Sequence, residues 1–171
     1  MTRSGPSSGI GGMLRLFRVA TVSVPMALLA SNCGSSPAAP SPTSSGDASS
    51  ADLAFCVDET NRYRAQAGVA ALAKDAALEA YAAEAAKSDG ISGVTHAYFN
   101  AHPSGGGENE VIDWHTEIYG NVRGVMQAAI AAYWSEGPNG GHYRNLTGAY
   151  TRLGCGVYVN GTRVTFVQDF R

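Results

Sequence analysis

With 171 residues, 12 basic and 14 acidic side chains and a formal net charge of −2, the chain is the size of one domain and carries no basic cluster. That argues against nucleic acid as a partner, because phosphate binding is driven by Lys and Arg. No apolar run is long enough to span a bilayer.

The first fifty residues differ from the rest: they are rich in Ser, Pro, Gly and Ala and hold no acidic residue before Asp47. Val19 to Ala30 is an uncharged, mostly apolar run preceded by Arg15 and Arg18. A basic stretch, a short apolar stretch and a small-residue exit predict a secretory signal over residues 1–32. Positive charge normally lies close to the start of such a signal, so Met13 is the expected start of translation. Cys33 follows Leu29-Ala30-Ser31-Asn32, which resembles a bacterial lipobox whose cysteine becomes the diacylated N-terminus, although Asn32 stands where a small residue is usual. Two outcomes stay open: a lipid anchor at Cys33 that makes the membrane a partner, or ordinary cleavage near Ala30 that leaves a free thiol. Residues 33–50, a Ser/Pro/Ala stretch, cannot bury enough surface to offset ordering and are expected to be a disordered linker. The folded domain is expected over residues 51–171.

Within that domain, Leu53, Cys56, Val57, Thr60, Tyr63 and Ala67 recur at spacings of three and four, which predicts a helix over 52–67 with Gly68 at its end. Residues 69–73 read as a connector. Asp75 is a cap for a second helix, from Ala76 to about Lys87, with Leu78, Ala82, Ala85 and Ala86 on its inner side. Residues 90–120 read as irregular, around an evident Pro103-to-Gly107 loop. Val122, Val125, Met126, Ala129, Ile130 and Tyr133 mark the buried stripe of a third helix over 122–134, broken by Gly137-Pro138-Asn139-Gly140-Gly141. Strands over 154–159 and 162–170 flank Asn160-Gly161, a strong hairpin signal. Helices early and strands late predict an α+β or three-layer arrangement.

The domain holds His96, His102, His115 and His142, and Glu108, Glu110 and Glu136 stand beside them in sequence. No HExxH, GxSxG, P-loop or CxxC signature is present, so a site must be assembled from separate segments. Two segments qualify. His96 and Glu108 bracket one glycine-rich loop; Glu136 and His142 bracket another. With Cys33 assigned to lipid, Cys56 and Cys155 remain as an even pair in an exported chain, where a disulfide persists.

The domain resembles the CAP superfamily of cysteine-rich secretory, antigen 5 and pathogenesis-related proteins, from about Leu53 to Phe170. Asn61-Arg62-Tyr63-Arg64, Gly68-Val69, Leu72, Asp75 and Leu78 look like its first two helices. Gly107-Glu108-Asn109, Tyr133-Trp134-Ser135-Glu136, Gly141-His142-Tyr143 and Leu153-Gly154-Cys155-Gly156 match its later motifs in order. Arg144-Asn145-Leu146 departs from the Thr-Gln that follows in many eukaryotic members and looks more like the bacterial branch. His102 competes with His96 for the first histidine position; His96 is preferred because Tyr98 and Phe99 follow it and can pack beneath a cleft.

The resemblance implies a three-layer α-β-α sandwich around a central, mainly antiparallel sheet. It also implies that His96, Glu108, Glu136 and His142 meet in one groove, where His96 and His142 hold a divalent metal such as zinc. The expected function is an exported binding module for a metal or a small or lipid ligand. A metal-assisted hydrolase on the same tetrad and a non-catalytic structural or interaction protein are the alternatives, and catalysis is not assigned.

Overall fold

A computed structural model describes residues 48–171. The expected signal segment, the Met13 start, Cys33 and most of the linker lie outside the described residues. Helix α1 (Ser50–Gln66) starts two residues before the predicted start at residue 52. Ser49 and Asp52 form a reciprocal capping box that satisfies two backbone donors ahead of the apolar stripe. Strand β1 (Ala73–Lys74) occupies the end of the expected connector. Helix α2 (Ala76–Ser92) is capped by Asp75, which accepts from the amides of Ala77 and Leu78. It runs five residues past the predicted end. Gly90 does not stop it: a Cβ there would lie 2.6 Å from Thr165 Oγ1, so this glycine serves close packing, and the helix ends at left-handed Gly93.

The stretch from residue 90 to 120, expected to be irregular, is structured. It holds α3 (Ala97–Ala101), β2 (Gly107–His115) and α4 (Thr116–Tyr119). Then come α5 (Val122–Ser135), α6 (Gly141–Thr147), β3 (Arg152–Asn160) and β4 (Arg163–Phe170). Asn160 pairs with Arg163, so the hairpin loop is Gly161-Thr162, one residue later than predicted.

The four strands form one sheet in the order β1-β3-β4-β2. β4 is antiparallel to both neighbours, while β1 joins β3 in parallel, so the sheet is mixed, with the antiparallel pairs dominant. On one face α1 and α5 cover a core that includes Cys56, Met126, Ile130, Leu153 and Phe166. On the other, Ala82, Ala85 and Ala86 of α2 pack against Val167. This is an α-β-α sandwich. The α2 side is unusually close because β3 presents Gly154 and Gly156 to it; added Cβ atoms would sit 2.1 Å from the α2 backbone.

Two devices tie the α1 layer to the sheet. Cys56 and Cys155 form the expected disulfide, with Cα atoms 6.5 Å apart. Arg64, 1% exposed, donates to the carbonyl oxygens of Ala70, Leu146 and Gly148, fastening the end of α1 to the segment between α6 and β3. No described helix is long and apolar enough to cross a membrane.

Candidate functional site

Residues that follow one another at alternate positions of a strand share a face. Glu108 and Glu110 of β2 therefore point the same way, and Asn109 points the other way. Asn109 is fully buried and links three elements: its amide donates to the His142 carbonyl and to Gln168, and its carbonyl accepts from Asn145. Asn145 also donates to the Glu108 carbonyl. α6 is thereby fixed against β2, which brings the second histidine to the first glutamate.

His96 precedes α3 in a left-handed conformation, φ 58° and ψ 17°, uncommon for a residue with a side chain. Its backbone N–H donates to Glu110 Oε2 at 2.5 Å and its ring Nδ1 lies 2.7 Å from Glu108 Oε1. The two carboxylates thus hold both ends of the residue. His142, second residue of α6, is gripped in a parallel manner. Its N–H donates to Glu136 Oε2 at 3.1 Å, its Nδ1 lies 2.5 Å from Glu136 Oε1, and its ring packs on Tyr133. Glu136 caps the C-terminus of α5, and Gly140 allows its side chain to fold back: a Cβ at Gly140 would meet Glu136 Oε2 at 2.4 Å.

His96, Glu108, Glu136 and His142 line a single open cavity of about 380 Å³, together with Gly141, Arg144 and Asn145. Apart from the two imidazole rings, the lining side chains are carboxylates, a guanidinium and an amide. His102 is elsewhere: its ring stacks on Tyr98 and Nδ1 lies 3.2 Å from the Tyr98 carbonyl. Tyr98 packs against Tyr81 on the α2 side, so it does not pave the cavity as expected. His115 sits 3.3 Å from Asp113 near the other end of β2.

The electrostatics follow from depth. Burial lifts Glu108 above the usual carboxyl range, and its bond to His96 offsets this only in part. That same bond raises His96 above the ordinary imidazole value, against the opposing effect of burial. Burial pushes Glu110 up to about 7. Glu136 is different: its slight burial raises it, but the bond and charge of His142 prevail and hold it below the usual value. Because a carboxylate accepts at each Nδ1, the neutral rings keep a lone pair at Nε2, the arrangement in which imidazoles ligate metals.

Glu110 is not among the four residues that motif order brings to the groove. In the structure His96, Glu108 and Glu110 each offer an atom that could ligate, all within 4.8 Å of one another. The two-residue spacing of Glu108 and Glu110 on one strand was the available signal. Arg144 and Asn145 also line the cavity without having been singled out as site residues; the departure at Arg144-Asn145-Leu146 marked them.

No curated protein sequence matches the chain. Solved structures of similar fold include that of NaASP2 with Zn2+, at 18% identity and TM-score 0.56, covering 75% of this chain and 82% of that one. Na-ASP-1 matches at 18% identity and TM-score 0.56, over 80% of this chain and 43% of that one. Hookworm Platelet Inhibitor matches at 17% identity and TM-score 0.51, over 72% and 70%. The model of the cysteine-rich secretory protein family, CAP, matches residues 57–170, well over half of the sequence. The chain belongs to the cysteine-rich secretory protein family.

Proposed function

We propose that this chain is an exported binding domain whose cleft takes a divalent metal, with His96 and His142 as its nitrogen donors. The observation that carries this reading is the pair of His–Glu couples facing one polar cavity. Glu108 and Glu136 would fix each ring and its tautomer, leaving Nε2 as the donor, and a bound ion would supply Lewis acidity to whatever ligand enters. NaASP2, which shares the fold, was solved with Zn2+. The lining, built from histidine, carboxylate, guanidinium and amide side chains, suits a metal or a small polar ligand better than an acyl chain, and Arg144 offers a cation to an anionic one. The disulfide fits an oxidising compartment, and a lipid at Cys33 is part of the same proposal.

Zinc calorimetry on the wild type and His142→Ala tests the cleft. The expected result is binding that the substitution abolishes and that weakens as pH falls, because protons compete with the metal for imidazole nitrogen. Equal affinity in both proteins would refute the reading. Mass spectrometry of the mature N-terminus tests the anchor: a chain beginning at Ser31 without acyl mass would remove it.

A further inference from the structure

Four carboxyl groups are buried between the sheet and α2: Asp89 and Asp169 are 0% exposed, Glu110 3% and Glu108 6%. Asp89 accepts from the Tyr98 amide. His96 is the basic group in direct contact with Glu108 and Glu110, and among the described residues no Lys or Arg pairs with either. A buried charge is costly unless paired, hydrogen-bonded or bound to a metal. Moreover, Glu108 uses Oε1 for His96 and Glu110 uses Oε2, while Glu108 Oε2 and Glu110 Oε1 are buried with no hydrogen-bond partner. Buried oxygens left in this way call for a water or an ion.

We propose that His96, Glu108 and Glu110 form a second cation position on the inner wall of the cleft, one that prefers a hard divalent ion such as Mn2+. The His96 Nδ1 atom lies 2.7 Å from Glu108 Oε1 and 3.8 Å from Glu110 Oε2, and the three donor atoms fall within 4.8 Å. A first-row ion sits about 2.1 Å from nitrogen and oxygen ligands, so it can be seated by small side-chain shifts. Two carboxylates with one imidazole form an oxygen-rich donor set, which suits Mn2+; zinc is better served by the two imidazoles of the outer position. On binding, Nδ1 gives up its proton and Nε2 carries the one the neutral ring keeps: an imidazolium releases its Nδ1 proton to solvent, a neutral ring changes tautomer, and Glu108 Oε1 turns from hydrogen-bond acceptor to ligand. The two positions share His96, so an ion in one excludes an ion in the other.

The proposal goes beyond the two-histidine reading and is tested separately from it. Dissociation constants for Mn2+ and for Zn2+ are measured by calorimetry on the full chain, on Glu110→Gln and on His142→Ala. Glutamine keeps an acceptor for the His96 amide while removing the anionic ligand. The expected pattern is crossed. Glu110→Gln loses Mn2+ affinity at least tenfold and keeps zinc within threefold; His142→Ala does the reverse. Zinc should compete with Mn2+ on the wild type. Unchanged Mn2+ affinity in Glu110→Gln, loss of Mn2+ in His142→Ala, or no Mn2+ binding by the wild type would each overturn the inner site, and none of these bears on zinc at the outer one. Electron–nuclear resonance on the Mn2+-loaded wild type gives an answer independent of any variant's folding: one coordinated imidazole nitrogen is expected, and two would overturn the assignment.

Discussion

Glu108 of β2 and Asp169 of β4 are direct partners across the sheet, and burial leaves three of their four carboxyl oxygens without a hydrogen bond. Burial, with Glu108 and Glu110 adding repulsion and Arg171 opposing it, pushes Asp169 up to about 8. A carboxyl whose folded value lies above its unfolded one binds more protons when folded, so stability falls as pH rises between the two values. The window for Asp169 runs from about 4 to about 8, and that for Glu110 from about 4.5 to about 7. His96, also raised, contributes stability below about 6.5 that is lost as pH climbs through its folded value. Glu136, lowered, acts with the opposite sign, but only below about 4.5. Urea unfolding in chelator should therefore show higher stability at pH 5 than at pH 8. Asp169→Asn should gain ~1 kcal/mol over the wild type at pH 8 and lose that advantage at pH 5. Parallel pH profiles for the two proteins would rule this out.

Arg64 replaces a carboxylate partner with main-chain carbonyls, three of them within 3.0 Å. Truncation leaves those buried acceptors unpaired. Arg64→Met should cost roughly 2–4 kcal/mol in denaturant unfolding, and Arg64→Lys nearly as much, because an ammonium cannot reproduce the spread of the guanidinium donors. A loss below ~1 kcal/mol for Arg64→Met would show that water replaces it without cost.

Gly154 and Gly156 set the distance between α2 and β3. A methyl group at either position would lie 2.1 Å from helix backbone, where there is no flexible side chain to yield. Gly156→Ala should lower stability by roughly 1–3 kcal/mol, and Gly154→Ala by a similar amount. The same change at Gly141, which has open space around it, should be near neutral and serves as the control.

The parts of this fold that could be read from sequence are those where burial and hydrophobicity coincide. The α5 stripe from Val125 to Tyr133 and the α2 stripe of Leu78, Ala82, Ala85 and Ala86 are buried as their spacing implies. Strand β2 was missed because Glu108, Asn109 and Glu110 are all buried, so polar side chains fill both faces and no alternation appears. Helix α6 was missed because the glycines before it read as a break, whereas Gly140 and Gly141 form its entry. His96 and Glu108 came from motif order and share the cavity with Glu136 and His142. Asp169 was invisible for another reason: its neighbour Glu108 lies far off in sequence, and only strand register brings them together.

Cys56 and Cys155 are 99 residues apart in sequence, so their bond closes a loop spanning most of the domain. In the chain-entropy view, a cross-link removes disorder from the unfolded state in proportion to the logarithm of loop length, and long loops gain most. The bond also joins the middle of α1 to the central part of β3, two layers otherwise held by side-chain packing, the Arg64 hydrogen bonds and the bond from Gln168 to Thr60. Both cysteines are fully buried, and Gln168 donates to Cys56 Sγ at 3.7 Å, so reduction would leave two thiols in a packed setting rather than expose a cavity. The double variant Cys56→Ala/Cys155→Ala should lose ~2–5 kcal/mol in urea unfolding. Reductant should lower the wild type toward the variant and leave the variant itself unchanged. Neither cysteine lines the cleft, so zinc affinity below the unfolding transition should be the same in both proteins. A variant as stable as the oxidised wild type would show that packing between α1 and the sheet suffices without the bond.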